Sequence, residues 1–540
     1  MKSKTTKQAD VVFVNGSVIT VDKKDQICEA VAVGGNRIIG AGNSPEIRAL
    51  AGPETRILDL KGRSLLPGFV DAHCHAGIYG LIKFQVPCGS KDVQSIEDIK
   101  RAVGLRTASS PPGTWILGRG YNHLALKERR HPTRWELDEV APDHKVFLTR
   151  TCGHIAVANS QVLNEFRIDR HTPDPEGGRI ERDSHGDPNG VLYEQAMLQI
   201  RMKTLPSAND LEKGMKLMNS DFLRLGITSV HDASGMNPEE IRAFQRGVTE
   251  GWIQVRLYLM FRSSEPSNRL GEIYLQSGLL TGLGNEKLRL GPYKLMLDGA
   301  GSGGSAAMRD AYSHNPADYG ILYMNQDELN RKVLKAHEAG YQVAIHAIGD
   351  KAIEMALLSF ESALKQHPRP NHRHRIEHCG FLDESLANKI RELGIVPVLG
   401  VPFLYELGDT YIDVYGLDRL NSIYPLHRLL EKGIQTPLSS DAPVIEPNPM
   451  NGIYAAVTHK TKSGKIIAPD ERVSIQQALR AYTLSGAYAS FEEDIKGSIE
   501  VGKLADLIVL SRNILECPPD DILNTSVDLT MVNGVVVYQK

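Results

Sequence analysis

Cysteine is scarce in this chain. Six residues in 540 (Cys28, Cys74, Cys88, Cys152, Cys379 and Cys517) are scattered without a Cys-x-x-Cys pair. In a chain this long that excludes a disulfide framework and predicts reduced thiols, as in a cytoplasmic protein. Long apolar runs are missing as well. None follows the polar segment Met1–Asp10, so neither a signal peptide nor a transmembrane segment is expected. Charge bias is absent: 62 basic residues face 65 acidic ones, for a net charge of −3. That balance disfavours a polyanion or a membrane surface as partner and predicts a small-molecule substrate. No long internal repeat and no low-complexity tract occurs.

What is present is the composition of a soluble globular protein, 41% hydrophobic and 24% charged, long enough for a large barrel with an appendage. Both ends read as β-structure. Val11–Val14 and Ser17–Val21 flank Asn15-Gly16, a hairpin signal, and Ala30–Val33 and Arg37–Gly40 flank Gly34-Gly35-Asn36. Near the other end, Ala505–Leu510, Leu529–Val532 and Val535–Tyr538 repeat the texture around Asn533-Gly534. Neither piece is long enough to be stable alone, so residues 1–66 and 492–540 are expected to form one discontinuous β-sandwich.

Between them, strands alternate with amphipathic helical stretches such as Asp327–Ala339 and Ile475–Tyr488, the pattern of an α/β protein. The expected architecture is a (β/α)8 TIM-like barrel over residues 67–491. From about 85 to 201 the rhythm breaks into extra strands (Thr114–Gly118, Lys145–Thr149) and Pro/Gly/Asp-rich loops. This reads as a subdomain inserted after the first barrel strand, where insertions shape specificity.

The strand Leu65–Cys74 ends in His73-Cys74-His75. Alternation places His73 and His75 on one face with Asp71, and two such imidazoles can grip one metal ion, at roughly 2.0–2.1 Å for zinc. Alone, the pair could equally be polar residues opening a loop. Later strands, however, end in Lys294, His346, His378 and Asp441, and barrel active sites gather at the carboxyl ends of strands. Each has a structural explanation taken singly, a hydrogen-bonded core histidine or a buried ion pair; convergence of five strand ends favours a metal site. By the same alternation His374, Ile376 and His378 share the inner face of the sixth strand, with Glu377 pointing outward to the helices. Lys294 shares a face with Met296 and Asp298.

The motifs Pro67-Gly68-Phe69-Val70-Asp71-Ala72-His73-Cys74-His75, His346-Ala347-Ile348-Gly349-Asp350, Arg375-Ile376-Glu377-His378, Ser440-Asp441 and Gly497–Leu507 resemble those of the amidohydrolase superfamily. With Gly153–Ser160 they resemble its amidohydrolase 3 branch, which includes N-substituted formamide deformylase-like enzymes. The resemblance covers essentially the whole chain. It implies that His73, His75 and Asp441 hold a buried divalent metal, zinc by the ligand types, and that His346 and His378 hold a second. Lys294 would be carboxylated and bridge the two; an ammonium would repel two dications, whereas a carbamate attracts them. The implied reaction is hydrolysis of a non-peptide carbon–nitrogen bond, amide, N-acyl or formamide, with Asp441 shuttling the proton to the leaving nitrogen. Family members are often homodimers.

Other residues stand beside this set. His154 resembles a substrate-pocket position, and Asp298 is expected to orient the carbamate, meet substrate or cap a turn. His231-Asp232 could support the site or pack the barrel mouth, and Asp350 reads as a helix cap. The glycine-rich stretch Gly299–Ser305 lacks the Gly-Lys-Ser/Thr of a phosphate loop and reads as an active-site loop. A deaminase or an ester or lactone hydrolase could use the same site. Many heterocycle deaminases of the superfamily carry His-x-x-Glu where this chain has Gly349. A non-catalytic scaffold would have lost ligands, and none is missing.

Overall fold

Seven parallel strands frame the candidate ligands. In the computed structural model, which describes residues 8–89, 92–151, 153, 155–233, 237–263, 270–312 and 317–540, they are β1 (Phe69–Cys74), β2 (Ile227–Asp232), β3 (Arg256–Ser263), β4 (Leu288–Met296), β5 (Val343–Ala347), β6 (Arg375–His378) and β7 (Val396–Leu399). They lie in sequence order in one sheet, every pairing parallel. All residues of β1, β2, β5, β6 and β7 are buried, as expected of parallel strands covered on both faces.

An irregular segment bridges the two edges. Leu399 N donates to Pro437 O (2.9 Å) and Ser439 N to Leu399 O (3.1 Å) on the β7 side. On the β1 side Ala72 N donates to Leu438 O (3.2 Å), Asp441 N to His73 O (2.8 Å) and His75 N to Ala442 O (2.7 Å). The sheet is thereby nearly closed, and Asp441 is brought beside the end of β1.

Helices cover the outside. Gln326–Glu338 starts at Asn325, whose side chain accepts from Glu328 N, carries Asp327 and Glu328 in its first turn, and buries Leu329, Val333 and Ala336. The expected single helix over Ile475–Tyr488 is two, Ile475–Ala481 and Leu484–Ala489. It breaks where the Ala481 and Tyr482 carbonyls accept from Leu438 N and Val70 N, tying this turn to the bridging segment and to β1.

The chain ends share a six-stranded sheet in the order Val535–Gln539, Val527–Val532, Leu507–Leu510, Ser64–Pro67, Ser17–Ile19, Ile27–Cys28. A four-stranded sheet of Arg37–Gly42, Ala30–Gly34, Ala9–Val14 and Ala51–Asp59 shares with it an apolar cluster that includes Phe13, Val31, Leu65, Leu507 and Met531. The expected hairpin at Asn15-Gly16 is not one, because the strands on either side enter different sheets. Gly16 is needed for a close approach instead: a Cβ there would lie 2.2 Å from Leu60 Cδ1. The turns at Gly35-Asn36 and Asn533-Gly534 do join antiparallel neighbours.

Residues Ile78–Gly214 form a separate compact unit. Its six-stranded sheet runs Gly178–Arg182, Pro188–Glu194, Ile155–Ala158, Lys145–Arg150, Trp115–Tyr121, Val86–Pro87. One face packs a cluster around Ile99, Val103, Leu137 and Leu148, the other a cluster around Val162, Leu163 and Ile200. No helix among the described residues is long and apolar enough to cross a membrane.

Candidate metal centre

The carboxyl ends of β1, β5 and β6 and the bridging segment converge. His73 Nε2 lies 3.5 Å from Asp441 Oδ1, and His75 Nε2 lies 3.0 Å from the same oxygen. The His73 and His378 rings are 4.7 Å apart between centroids, and those of His346 and His378 4.6 Å. One ligating atom each from His73, His378 and Asp441 fits within 4.8 Å of the others, all three residues being buried. Two of these positions depend on backbone that turns sharply: His378 and Asp441 have φ of 67° and 54°. Lys294, buried on β4 beside Ala344 of β5, acts electrostatically on His73, His346 and His378.

The donors suit a cation. His378 Nδ1 and Asp441 Oδ1 are buried without a hydrogen-bond partner, an arrangement that a bound metal relieves. Burial, with the Lys294 charge next in size, pushes His346 down to about 3, and burial holds His73 and His378 well below the usual imidazole range. The three rings are therefore neutral at pH 7 and keep a lone pair for coordination. Burial also draws the Lys294 amine down to about 8, against the pull of Glu377 and Asp441. Nitrogen and carboxylate donors in this number match zinc and related first-row dications.

The inner face of β6 is the reverse of the expectation. Arg375 and Glu377 point into the sheet's interior, where Glu377 Oε2 lies 2.5 Å from His73 Nδ1 and Arg375 Nε donates to Glu377 Oε1 (2.7 Å). His374 faces the helices instead: its ring stacks on Phe360, its Nε2 lies 2.9 Å from His337 Nδ1, and its Nδ1 accepts from Val343 N. His378 reaches the centre only because the strand ends in a left-handed residue. Both faces of β6 are buried, so alternation alone could not tell inside from outside. The overlooked signal was the Arg-x-Glu pair itself, since two opposite charges on one face of a buried strand bond most readily to each other and to a polar interior. Burial raises the Glu377 pKa, but Arg375 and Lys294 outweigh it and leave the carboxylate below its ordinary value.

Asp71 fixes the base of the site. It accepts from Ser440 Oγ (2.5 Å) and Ser440 N (3.1 Å), locking β1 to the bridging segment. His231 belongs to the same interior, with Nδ1 2.9 Å from an Arg375 nitrogen. Asp298 accepts from the backbone N–H groups of Ala307, Ile348 and Gly349 and stands 3.4 Å from His346 Nε2. Burial raises its pKa to about 7. Asp350 opens the helix Asp350–Gln366 as its first residue, the cap being Gly349, and accepts from Arg309 N. His154 lies outside the described residues.

Neutral imidazoles and a lysine on parallel strands, with a carboxylate from the bridging segment, suit a metal-dependent hydrolase. The chain belongs to the amidohydrolase family, whose model matches residues 56–538. It is 29% identical to N-substituted formamide deformylase of Arthrobacter pascens, over 99% of each chain. It is 31% identical to Protein LONG AFTER FAR-RED 3 of Arabidopsis thaliana, over 98% of this chain and 92% of that one. A solved metal-dependent hydrolase from Pyrococcus horikoshii superposes with a TM-score of 0.78 at 26% identity, covering 94% of this chain and 99% of its own.

Proposed function

We propose that this hydrolase cleaves a non-peptide carbon–nitrogen bond of a small molecule, of the amide, N-acyl or formamide type. The observation that carries the reading is the cluster of His73, His378 and Asp441 with its unpartnered buried donor and acceptor. The full-length similarity to a formamide deformylase supports the bond type. We read residues 436–442 as the eighth strand of a (β/α)8 barrel, and the paired sheets of the two chain ends as one β-sandwich. Unpaired thiols at all five described cysteines support a cytoplasmic location, and a homodimer is the assembly we expect.

His73, His75 and Asp441 would hold one zinc ion, and His346 and His378 a second, with Lys294 between them as a carbamate. An amine with a pKa of about 8 has a sizeable neutral fraction at pH 7, the form that reacts with carbon dioxide. Bound metal supplies Lewis acidity, polarising the scissile carbonyl and lowering the pKa of a water toward about 7. Asp441 takes the proton of the attacking water on its carboxylate and returns it to the leaving nitrogen, which makes the amine a competent leaving group. The tight Asp71–Ser440 contact keeps Asp441 in register with His73 and His75 while it does so. Asp298, 3.4 Å from His346 Nε2, is the substrate contact we expect within the barrel.

Gly349 favours hydrolysis over deamination. A Cβ at this position would lie 1.9 Å from the Ala307 carbonyl oxygen, so the glutamate of a His-x-x-Glu deaminase has no room. The test is amine release from a panel of N-substituted formamides and N-acyl amines, beside matched esters, lactones and aminated heterocycles. Turnover confined to the amides supports the proposal; turnover confined to the heterocycles or esters overturns it.

A further inference from the structure

Behind His73, on the side away from Asp441, four buried residues form a chain of contacts: His231, Arg375, Glu377 and His73. Arg375 and Glu377 are fully buried, and so are His231 and His73 to within a hundredth of their surface. Arg375 grips the carboxylate with two donors, Nε to Oε1 at 2.7 Å and a terminal nitrogen to Oε2 at 3.0 Å. Two further donors are also committed, one to the Ala72 carbonyl at 2.6 Å and one to His231 Nδ1 at 2.9 Å. A guanidinium bound at this many points cannot rotate, and neither can the carboxylate it holds.

The imidazole of His73 sits between this carboxylate and the ligand cluster. Its Nδ1 is 2.5 Å from Glu377 Oε2, and its Nε2 is 3.5 Å from Asp441 Oδ1. A neutral imidazole has one N–H and one lone pair. With the proton on Nε2, the Nδ1 lone pair would oppose a carboxylate oxygen at contact distance, and the N–H would block coordination. With the proton on Nδ1, that nitrogen donates to Glu377 and Nε2 keeps its lone pair free for a metal. We infer that Glu377, clamped by Arg375, is the positioning residue of the metal centre: it fixes His73 in the tautomer and orientation that present Nε2 to the metal. The Arg375 contact to Ala72, the neighbour of His73, holds β1 against β6 so that the distance between carboxylate and ring is set by the backbone as well.

The inference rests on the metal-centre reading, and its test separates the two. Zinc affinity is measured by chelator competition on metal-stripped protein, for the natural chain, Glu377→Asp and Glu377→Gln, with the melting temperature of each metal-free protein as the control for folding. Glu377→Asp keeps the charge paired with Arg375 but withdraws the oxygen from His73 by one methylene. A loss of about 10- to 100-fold in zinc affinity in that variant, with metal-free melting close to that of the natural chain, is expected for a positioning residue. Glu377→Gln, which leaves Arg375 without its counter-charge, is expected to lose at least as much. Natural affinity in Glu377→Asp overturns the inference. Failure of the natural chain to bind zinc at all overturns the metal-centre reading beneath it.

Discussion

One oxygen of Asp441 faces two imidazole nitrogens, His75 Nε2 at 3.0 Å and His73 Nε2 at 3.5 Å, although more than 360 residues separate them in the chain. The carboxylate is held there by the Asp441 N to His73 O hydrogen bond and by Asp71 on Ser440. Asp441→Asn keeps the shape of the side chain but can neither accept the water's proton nor hand it on. Turnover at saturating substrate should fall by about 10²- to 10⁴-fold, the range for losing a general acid–base group. The unfolding midpoint should stay close to that of the natural chain, which a denaturation curve beside the rate measurement would show.

A second buried pair ties the sheet of the two chain ends to the barrel. Arg256 on β3 donates to Asp506 through Nε at 2.6 Å and a terminal nitrogen at 2.9 Å. Burial raises the Asp506 pKa, but Arg256 outweighs it and leaves the carboxyl below its ordinary value. Its contribution to stability is therefore complete above the ordinary carboxylate range near pH 4 and is lost as pH falls through the lower folded value. Asp506→Asn should cost about 3–5 kcal/mol at pH 7, because it strands a buried guanidinium. Replacing both partners by leucine should cost much less, and urea unfolding of the natural chain beside the two variants tests the difference.

Mild acid should weaken the fold by a separate route. His459 is fully buried, its Nδ1 bonded to the Ile467 carbonyl, and burial pushes its pKa down to about 4. The unfolded chain binds that proton near pH 6.5, so stability declines as pH falls from 6.5 toward 4. Between pH 7 and pH 5 this residue should account for about 2 kcal/mol of lost stability. His459→Asn suits the site, since φ is 53° there and asparagine tolerates that conformation. The variant should show a pH 7 to pH 5 difference smaller by about that amount in urea unfolding. An unchanged difference would place the acid sensitivity elsewhere.

The candidate centre was legible because the residues nominated for it stand at or beside strand ends, where each short motif marks the end of a run of apolar residues. His73, His75, Lys294, His346, His378 and Asp441 needed only that rule and the family resemblance. The support behind them was not legible. Glu377 and Arg375 were assigned to the wrong face because a strand buried on both sides has no polar side to read, and because His378 leaves the alternation through a positive φ. The Asn15-Gly16 turn misled for a related reason: the dipeptide permits a tight turn, but packing of Gly16 on Leu60 sends the next strand to another sheet. The break in the helix at Tyr482 depends on carbonyls recruited by Val70 and Leu438, contacts that no local pattern announces.

We propose a metal centre that Lys294 helps to build. Metal per chain, measured by elemental analysis on protein purified without chelator and beside Lys294→Ala, tests it most directly. About two ions are expected in the natural chain, the number a bridging carbamate would hold, and one or none in the variant. The same single ion in both proteins would contradict the bridging role of Lys294, and no ion in the natural chain, even after reconstitution, would contradict the centre itself.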